Sequence, residues 1–317
     1  REAATLTKAL QKRVVDGGLE ARKDDASIVT VGDFAVQALI LQKLAQHFPD
    51  DGFLAEETSD MLRKEAHLAR EVLELVSSAS GGAFLDEEAL FGAIDLASKP
   101  SSNGFRWVLD PIDGTRGFKE GLHFCLGLGL LERGRPSLGF LACPNDDEAT
   151  GRGRLFIAAK EYGSFALTPL TLGDPDATAG NLEEKRLSVR KGNPESQDYS
   201  STLLLEGPFT MHALNRRVQS KLGSTKAPLR IDSMAKYGRL SAGEADLVLR
   251  LHTPGYREHI WDHLAGVIVL EEAGGVVTDQ DGHPLDFSVD RDLPSSVKAI
   301  ISSRGGSLHE AALRAVR

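Results

Sequence analysis

Cysteine is scarce: Cys125 and Cys143 are the only two in 317 residues, too few for a disulfide framework or a cysteine zinc site. They read as small hydrophobic residues of a reduced core, and a redox pairing is open only if their Cα atoms come within about 7 Å. Long apolar runs are also missing, and none approaches the ~18 residues of a membrane-spanning helix. Basic charge is in deficit, with 37 Lys and Arg against 46 Asp and Glu for a formal net charge of -9. Such a surface repels a polyphosphate chain as a whole, which excludes long nucleic acid as a partner. A small anionic substrate is not excluded, because a site is local and a net charge is not. His47, His67, His123, His252 and His283 lack zinc-ligand spacing. There is no internal repeat, no low-complexity segment, and no cationic-then-apolar signal pattern after Arg1.

The chain is long enough for one large domain or two ordinary ones, and a hydrophobic content of 41% with 32 glycines fits a soluble globular protein. Apolar residues at helical spacing predict helices over Thr5 to Val15 and Phe34 to Phe48, the second stopped by Pro49-Asp50-Asp51-Gly52. A third is expected over Asp60 to Val76 behind Ser59 as N-cap. After Gly104 short strands take over: Arg106 to Leu109, Phe124 to Leu131, Ser137 to Cys143, Arg154 to Ala159 and Ser164 to Leu167. The loop Gly173 to Gly180 suggests a boundary between an N-terminal α+β domain, 1–175, and a C-terminal α/β domain, 176–317. Beyond it, strands near Leu187, Leu203 to Leu205, Leu229 to Ile231, Leu247 to Leu251, Val276 to Thr278 and Ala299 to Ser302 alternate with helices.

Chemistry concentrates in Trp107-Val108-Leu109-Asp110-Pro111-Ile112-Asp113-Gly114-Thr115. Pro111 cannot donate to a ladder, so a strand is expected to end at Asp110 with both carboxylates in the loop beyond. Two carboxylates, a hydroxyl and a new backbone turn suit a hard cation together with a phosphate, with the Ile112 carbonyl available to the same shell. The same residues also suit a surface turn, since Asp-Gly is a common turn pair. Glu56-Glu57 after Phe53-Leu54-Ala55 read either as a solvated helix start or as metal ligands. Asp262 opens a helix running to Glu272 that is apolar almost all round, so as an N-cap it would lie inside the protein, where a carboxylate needs a partner. Lys23-Asp24-Asp25 read as a polar loop, and Asp33 opens the following helix.

Together these segments resemble the Mg²⁺-dependent, lithium-sensitive phosphatase superfamily that includes inositol monophosphatase. The matching pieces are Glu56-Glu57, Asp110-Pro111-Ile112-Asp113-Gly114-Thr115, and Trp261-Asp262 ahead of Glu272-Ala273-Gly274-Gly275. Within the superfamily, Lys23-Asp24-Asp25, Asp232-Ser233-Met234-Ala235-Lys236-Tyr237 and Tyr256-Arg257-Glu258 shortly before Ile260-Trp261-Asp262-His263 look most like the 3'(2'),5'-bisphosphate nucleotidases.

That resemblance implies a layered αβαβα sandwich with two sheets and a site at the junction of the halves. It implies two or three Mg²⁺ held by Glu56, Asp110, Asp113, Asp262 and the Ile112 carbonyl. Asp25 would bind or orient the attacking water, and Thr115 would relay its proton to Asp25. Thr115, Ser233, Lys236, Arg250, Asp262 and His212 would contact the substrate, Ser233 and Lys236 sharing one helix face; alone, Lys236 and Arg250 are ordinary solvated charges. The activity implied is hydrolysis of the 3' or 2' phosphate of an adenosine bisphosphate, or of its sulfated form, to AMP and phosphate. An inositol phosphate phosphatase of the same superfamily and a non-catalytic nucleotide sensor are the alternatives. One departure stands out: Phe209 occupies the first His of a His-Ser-x-His run that the family usually shows, while His212 remains. The implied partner is a small nucleotide and not a membrane, a monomer is expected, and the compartment expected is intracellular. The cytoplasm comes first; chloroplast or mitochondrion fits if a transit peptide was removed.

Overall fold

The computed structural model describes residues 1–17, 20–22, 28–146, 153–168, 170, 183–192, 197–209, 212–251 and 255–317. Its elements in chain order are α1 (Glu2–Gly17), β1 (Glu20–Arg22), β2 (Ile28–Thr30), α2 (Val31–His47), β3 (Gly52–Ala55), α3 (Asp60–Lys64), α4 (Ala66–Ala79), α5 (Glu87–Asp95), β4 (Phe105–Asp113), α6 (Thr115–Lys119), β5 (Cys125–Glu132), β6 (Arg135–Cys143), β7 (Arg154–Ala159), β8 (Gly163–Thr168) and β9 (Glu183–Arg186). They continue with β10 (Leu204–Glu206), α7 (His212–Lys221), β11 (Leu229–Arg230), α8 (Ala235–Ser241), β12 (Leu247–Leu251), α9 (Leu264–Glu272), β13 (Val276–Asp279), β14 (Ala299–Ser303) and α10 (Gly306–Val316).

Strands β3 to β9 form a seven-stranded sheet in sequence order, parallel only between β3 and β4. A second sheet runs β11-β10-β12-β14-β13, parallel across the first three strands and antiparallel across the rest. Alternation along β4 explains the layering. Trp107 and Leu109 face Leu41 of α2, whereas Val108 faces the core shared with α8 and α9. Helix α9 packs on β5 to β8 from one side and reaches β13 on the other, while α7 and α10 cover the far face of the small sheet. The result is the αβαβα order implied by the resemblance. Cys125 and Cys143 are free and buried in the interlayer core.

Several expectations are corrected. The helix over Asp60 to Val76 is two helices, because Glu65 leaves helical geometry at φ −120°, ψ 79°. Ser59 does not cap; its hydroxyl donates to Asp95 at 2.7 Å. Helix α5 was not anticipated, although Asp86 caps it by accepting from the Ala89 N–H at 2.8 Å. Strand β4 does not end at Asp110. Its register shifts between Asp110, opposite Gly127, and Asp113, opposite Cys125, so a bulge carries Pro111 without requiring its missing donor. The loop 173–180, where a domain boundary is expected, lies outside the described residues and is not among these corrections; beyond it β9 pairs with β8.

Close contact between α9 and the large sheet depends on absent side chains. A Cβ on Gly139 of β6 would lie 2.6 Å from the Ala265 carbonyl oxygen and 3.1 Å from Ile268 Cβ. Because the first of these is backbone, little can yield. Gly139→Ala is expected to destabilise the fold by about 1–3 kcal/mol through overpacking, read as a lower denaturant midpoint at an unchanged slope.

Candidate active site and metal centre

The site begins at the β4 bulge. Residues three apart in a regular strand face opposite sides of a sheet, but the one extra residue returns Asp113 to the face of Asp110. Asp262 joins them from the short 3₁₀ turn Ile260–Asp262 that precedes α9. It was expected to cap that helix. Instead His263 holds the cap position, and the tight turn directs the Asp262 carboxylate to the bulge. One oxygen from each of Asp110, Asp113 and Asp262 falls within 4.8 Å of the others. Glu56 follows β3, the strand beside β4, and its charge acts on Asp110 and Asp262. Its neighbour Glu57 is pinned to α2, where the Gln37 amide donates to the Glu57 carbonyl at 2.7 Å and accepts from its N–H at 3.0 Å.

Burial, then the charges of Glu56, Asp113 and Asp262, push the Asp110 carboxyl well above the usual range. Burial pushes Asp113 up to about 6, against the opposing pull of Lys236 and Arg250. Burial raises Asp262 as well, with Arg250 opposing. Among the described residues, Asp110 Oδ1 is buried with no hydrogen-bond partner. An all-oxygen cluster with an orphaned carboxylate oxygen is what a hard divalent cation satisfies, so these residues fit Mg²⁺.

Cationic and polar groups converge from the other sheet layer. The Asp113 carboxylate accepts from the Met234 N–H, and Asp232 accepts from the Ser233 N–H at 3.0 Å. Ser233 adopts φ +68°, a strained value for a residue with a Cβ. It therefore precedes α8 and does not share a helix face with Lys236, as had been expected. The approach is tight: a Cβ on Gly117 would meet Asp232 Oδ2 at 2.8 Å, and Gly114 takes φ +86° against Ser233. Lys236 is buried, donates to the Ile231 carbonyl at 3.2 Å, and lies in the field of Asp232 and Asp113. Burial pushes its ammonium pKa down while those carboxylates oppose the shift. Arg250 places Nη2 3.8 Å from Asp262.

A sequence model of the inositol monophosphatase family matches residues 2–317. The chain belongs to that family. It is 38% identical over 312 residues to a 3'(2'),5'-bisphosphate nucleotidase of Emericella nidulans, spanning 89% of this chain and 85% of that protein. It is 36% identical over 318 residues to one of Oryza sativa, spanning 95% and 87%. Among solved structures, the extragenic suppressor protein SuhB of Bartonella henselae superposes with a TM-score of 0.64 at 19% identity, covering 99% of this chain and 94% of that one. An inositol monophosphatase of Thermotoga maritima superposes at 0.64 with 21% identity, covering 99% and 92%. These structures carry the fold.

Of the residues singled out in this family member, the structure brings Asp110, Asp113, Asp262, Glu56, Ser233, Lys236 and Arg250 into one charged cluster. Thr115 opens α6 with its hydroxyl donating to the Ile112 carbonyl at 3.2 Å. Asp25 lies outside the described residues. The described polar contacts of His212 are with Glu206 at 2.9 Å and the Pro208 carbonyl at 3.3 Å, none of them to the carboxylate cluster. The ring of Phe209 lies 3.8 Å from the guanidinium of Arg116, the residue after Thr115. Asp232, part of the Asp232 to Tyr237 motif, also lies at the site, against Gly117 and in the field of Asp113 and Lys236; no local feature of the sequence marks that position.

Because the native pKa values of Asp110, Asp113 and Asp262 exceed their unfolded ones, the metal-free fold binds more protons than the unfolded chain. Stability is therefore lost as pH rises, for Asp113 between 3.8 and about 6. Without divalent metal, Asp110→Asn is expected to melt above the parent chain by a margin that widens as pH rises. Mg²⁺ should raise the parent's Tm more than the variant's. A margin that is flat with pH would refute this account.

Proposed function

We propose that the protein is a Mg²⁺-dependent phosphatase that removes the 3' or 2' phosphate of an adenosine 3'(2'),5'-bisphosphate, and of its sulfated form, giving AMP and phosphate. The observation that carries the reading is the meeting of a buried carboxylate cluster with two cations, Lys236 and Arg250. A monophosphate needs only the first of these features, whereas a bisphosphate needs a second anion site as well. The nucleotidase relatives, which match most of the chain, support the same choice.

In this reading Glu56, Asp110, Asp113, Asp262 and the Ile112 carbonyl hold two or three Mg²⁺. Bound there, the cations would polarise the phosphate ester and neutralise charge that develops during in-line displacement. Lys236, Arg250 and Ser233 bind and orient the phosphates, so the remote phosphate fixes where the reacting one lies. Thr115 passes a proton from the attacking water toward Asp25. His212 and Phe209 face the nucleoside end, and the stack of Phe209 on Arg116 supports an apolar, ring-accepting surface there. A monomer in an intracellular compartment, the cytoplasm first, suits two free, buried cysteines. No described helix is long and apolar enough to cross a membrane.

Phosphate release from adenosine 3',5'-bisphosphate is expected to require Mg²⁺, to fall with Li⁺, and to exceed release from inositol 1,4-bisphosphate. Asp110→Ala should lower kcat about a hundred-fold or more. Lys236→Ala should lower kcat/KM for the adenosine bisphosphate about thirty-fold, with a smaller loss on monophosphates. Full activity in a chelator would overturn the metal chemistry, and a preference for inositol phosphates would overturn the substrate.

A further inference from the structure

Behind Arg250 runs a buried string of side chains that the chemistry above does not use. Glu258 Oε1 accepts from Arg250 Nε at 2.8 Å, and Glu258 Oε2 lies 2.9 Å from His263 Nε2. His263 Nδ1 lies 2.9 Å from the Tyr237 hydroxyl. The side chains of Glu258 and His263 are each 1% exposed, whereas that of Arg250 keeps 35%. With Nε2–H donating to Glu258, Nδ1 is left to accept from Tyr237, so the donors and acceptors alternate along the string. Its backbone is held as well: Leu293 N–H donates to the Glu258 carbonyl at 2.8 Å and Ile260 N–H to the Arg291 carbonyl at 3.0 Å.

We propose that Glu258, His263 and Tyr237 are positioning residues that set the spacing between the reacting phosphate and the second one; the inference rests on the nucleotidase reading. Each link adjoins a group of the site. Tyr237 follows Lys236 on α8, His263 follows Asp262, and Glu258 grips Arg250 by Nε, leaving the guanidinium's outer edge toward the site. One string thus ties both anion-binding cations to a metal carboxylate. Glu258, Asp262 and His263 could be mistaken for a separate metal site, since their ligand atoms fall within 4.8 Å. The Glu258–His263 hydrogen bond occupies the atoms such a site would need.

Glutamine at 258 offers one acceptor and one donor to two donors, so it loses one of the two bonds and the charge behind Arg250. In steady-state kinetics, Glu258→Gln is expected to raise KM for adenosine 3',5'-bisphosphate about ten-fold, more than kcat falls and more than KM changes for adenosine 3'-monophosphate. In an Arg250→Ala background the same change should have little further effect. Tyr237→Phe keeps every charge and should shift the same ratio in the same direction by about five-fold, which preserves the test if Glu258→Gln fails to fold. Calorimetric affinity for the bisphosphate in the Asp110→Ala background should fall in parallel. The parent enzyme alone judges the nucleotidase reading, which fails if it shows no preference for the bisphosphate. With that preference present, equal losses on both substrates, full additivity with Arg250→Ala, or an unchanged ratio in Tyr237→Phe would overturn the string's role.

Discussion

Mutual repulsion among buried carboxylates is the constraint around which this protein is organised. Asp110, Asp113 and Asp262 bring oxygens within 4.8 Å of one another, and at an effective dielectric near 20 each ionised pair at that distance costs about 3 kcal/mol. Asp110 is 1% exposed, so water relieves little of this. Protonation, cationic side chains and a bound cation are the available remedies, and the structure bears the mark of each. Carboxyl pKa values rise, Lys236 and Arg250 stand opposite, and one Asp110 oxygen has no hydrogen-bond partner among the described residues. Part of the chain's acidic surplus is therefore a concentrated feature of one seam. A loaded site would be much nearer neutrality than the sum for the whole sequence.

The layers divide this charge between them. Asp110 and Asp113 come from the bulge of the large sheet, with Glu56 beyond the strand next to it. Arg250 comes from β12 of the small sheet, Lys236 from α8 in the helix layer between the sheets, and Asp262 from the turn into α9 of that same layer. Neither sheet is balanced by itself. Docking the layers compensates the charges, and the site is complete only where both sheets contribute. The small residues at the seam follow from the same need. Gly117 lets Asp232 approach α6, and Gly139 lets α9 lie close on β6, which brings the 3₁₀ turn carrying Asp262 down to the bulge.

Features governed by a few consecutive residues were legible in the sequence. Strand β7 matches its predicted span, β12 likewise, and the carboxylates of the Asp110 to Thr115 segment stood out because an apolar strand ran directly into them. What escaped depends on tertiary context. Proline at 111 argues for a strand end on local grounds, yet a bulge next to β5 accommodates it. Glu65 carries no helix breaker, yet the chain turns there into α4. The Asp262 carboxylate has the chemistry of an N-cap, and only its neighbours across the seam make it part of a cluster that could hold a metal ion. Arg250 and Lys236 look like solvated charges until the sheets meet. Helix α5 is different: Asp86 ahead of Glu87-Glu88-Ala89-Leu90 is a local cap signal, masked in the sequence by the Gly and Ser residues before it.

A cation beside three carboxylates faces a competition that decides whether it can serve an anionic substrate at all. Arg250 Nη2 is 3.8 Å from Asp262 Oδ2, close enough that an unrestrained guanidinium would gain by folding onto the carboxylate and forming a bidentate pair. Such a collapse would neutralise the Asp262 carboxylate and use up the outer edge of the guanidinium together. Holding Nε from behind removes that option, because the planar group cannot pivot toward Asp262 without breaking a hydrogen bond to a buried carboxylate that has little water to turn to. The added acidic residue at 258 thus works against what its charge suggests: by occupying the inner edge of Arg250, it leaves the outer edge to the phosphate of the proposed reading.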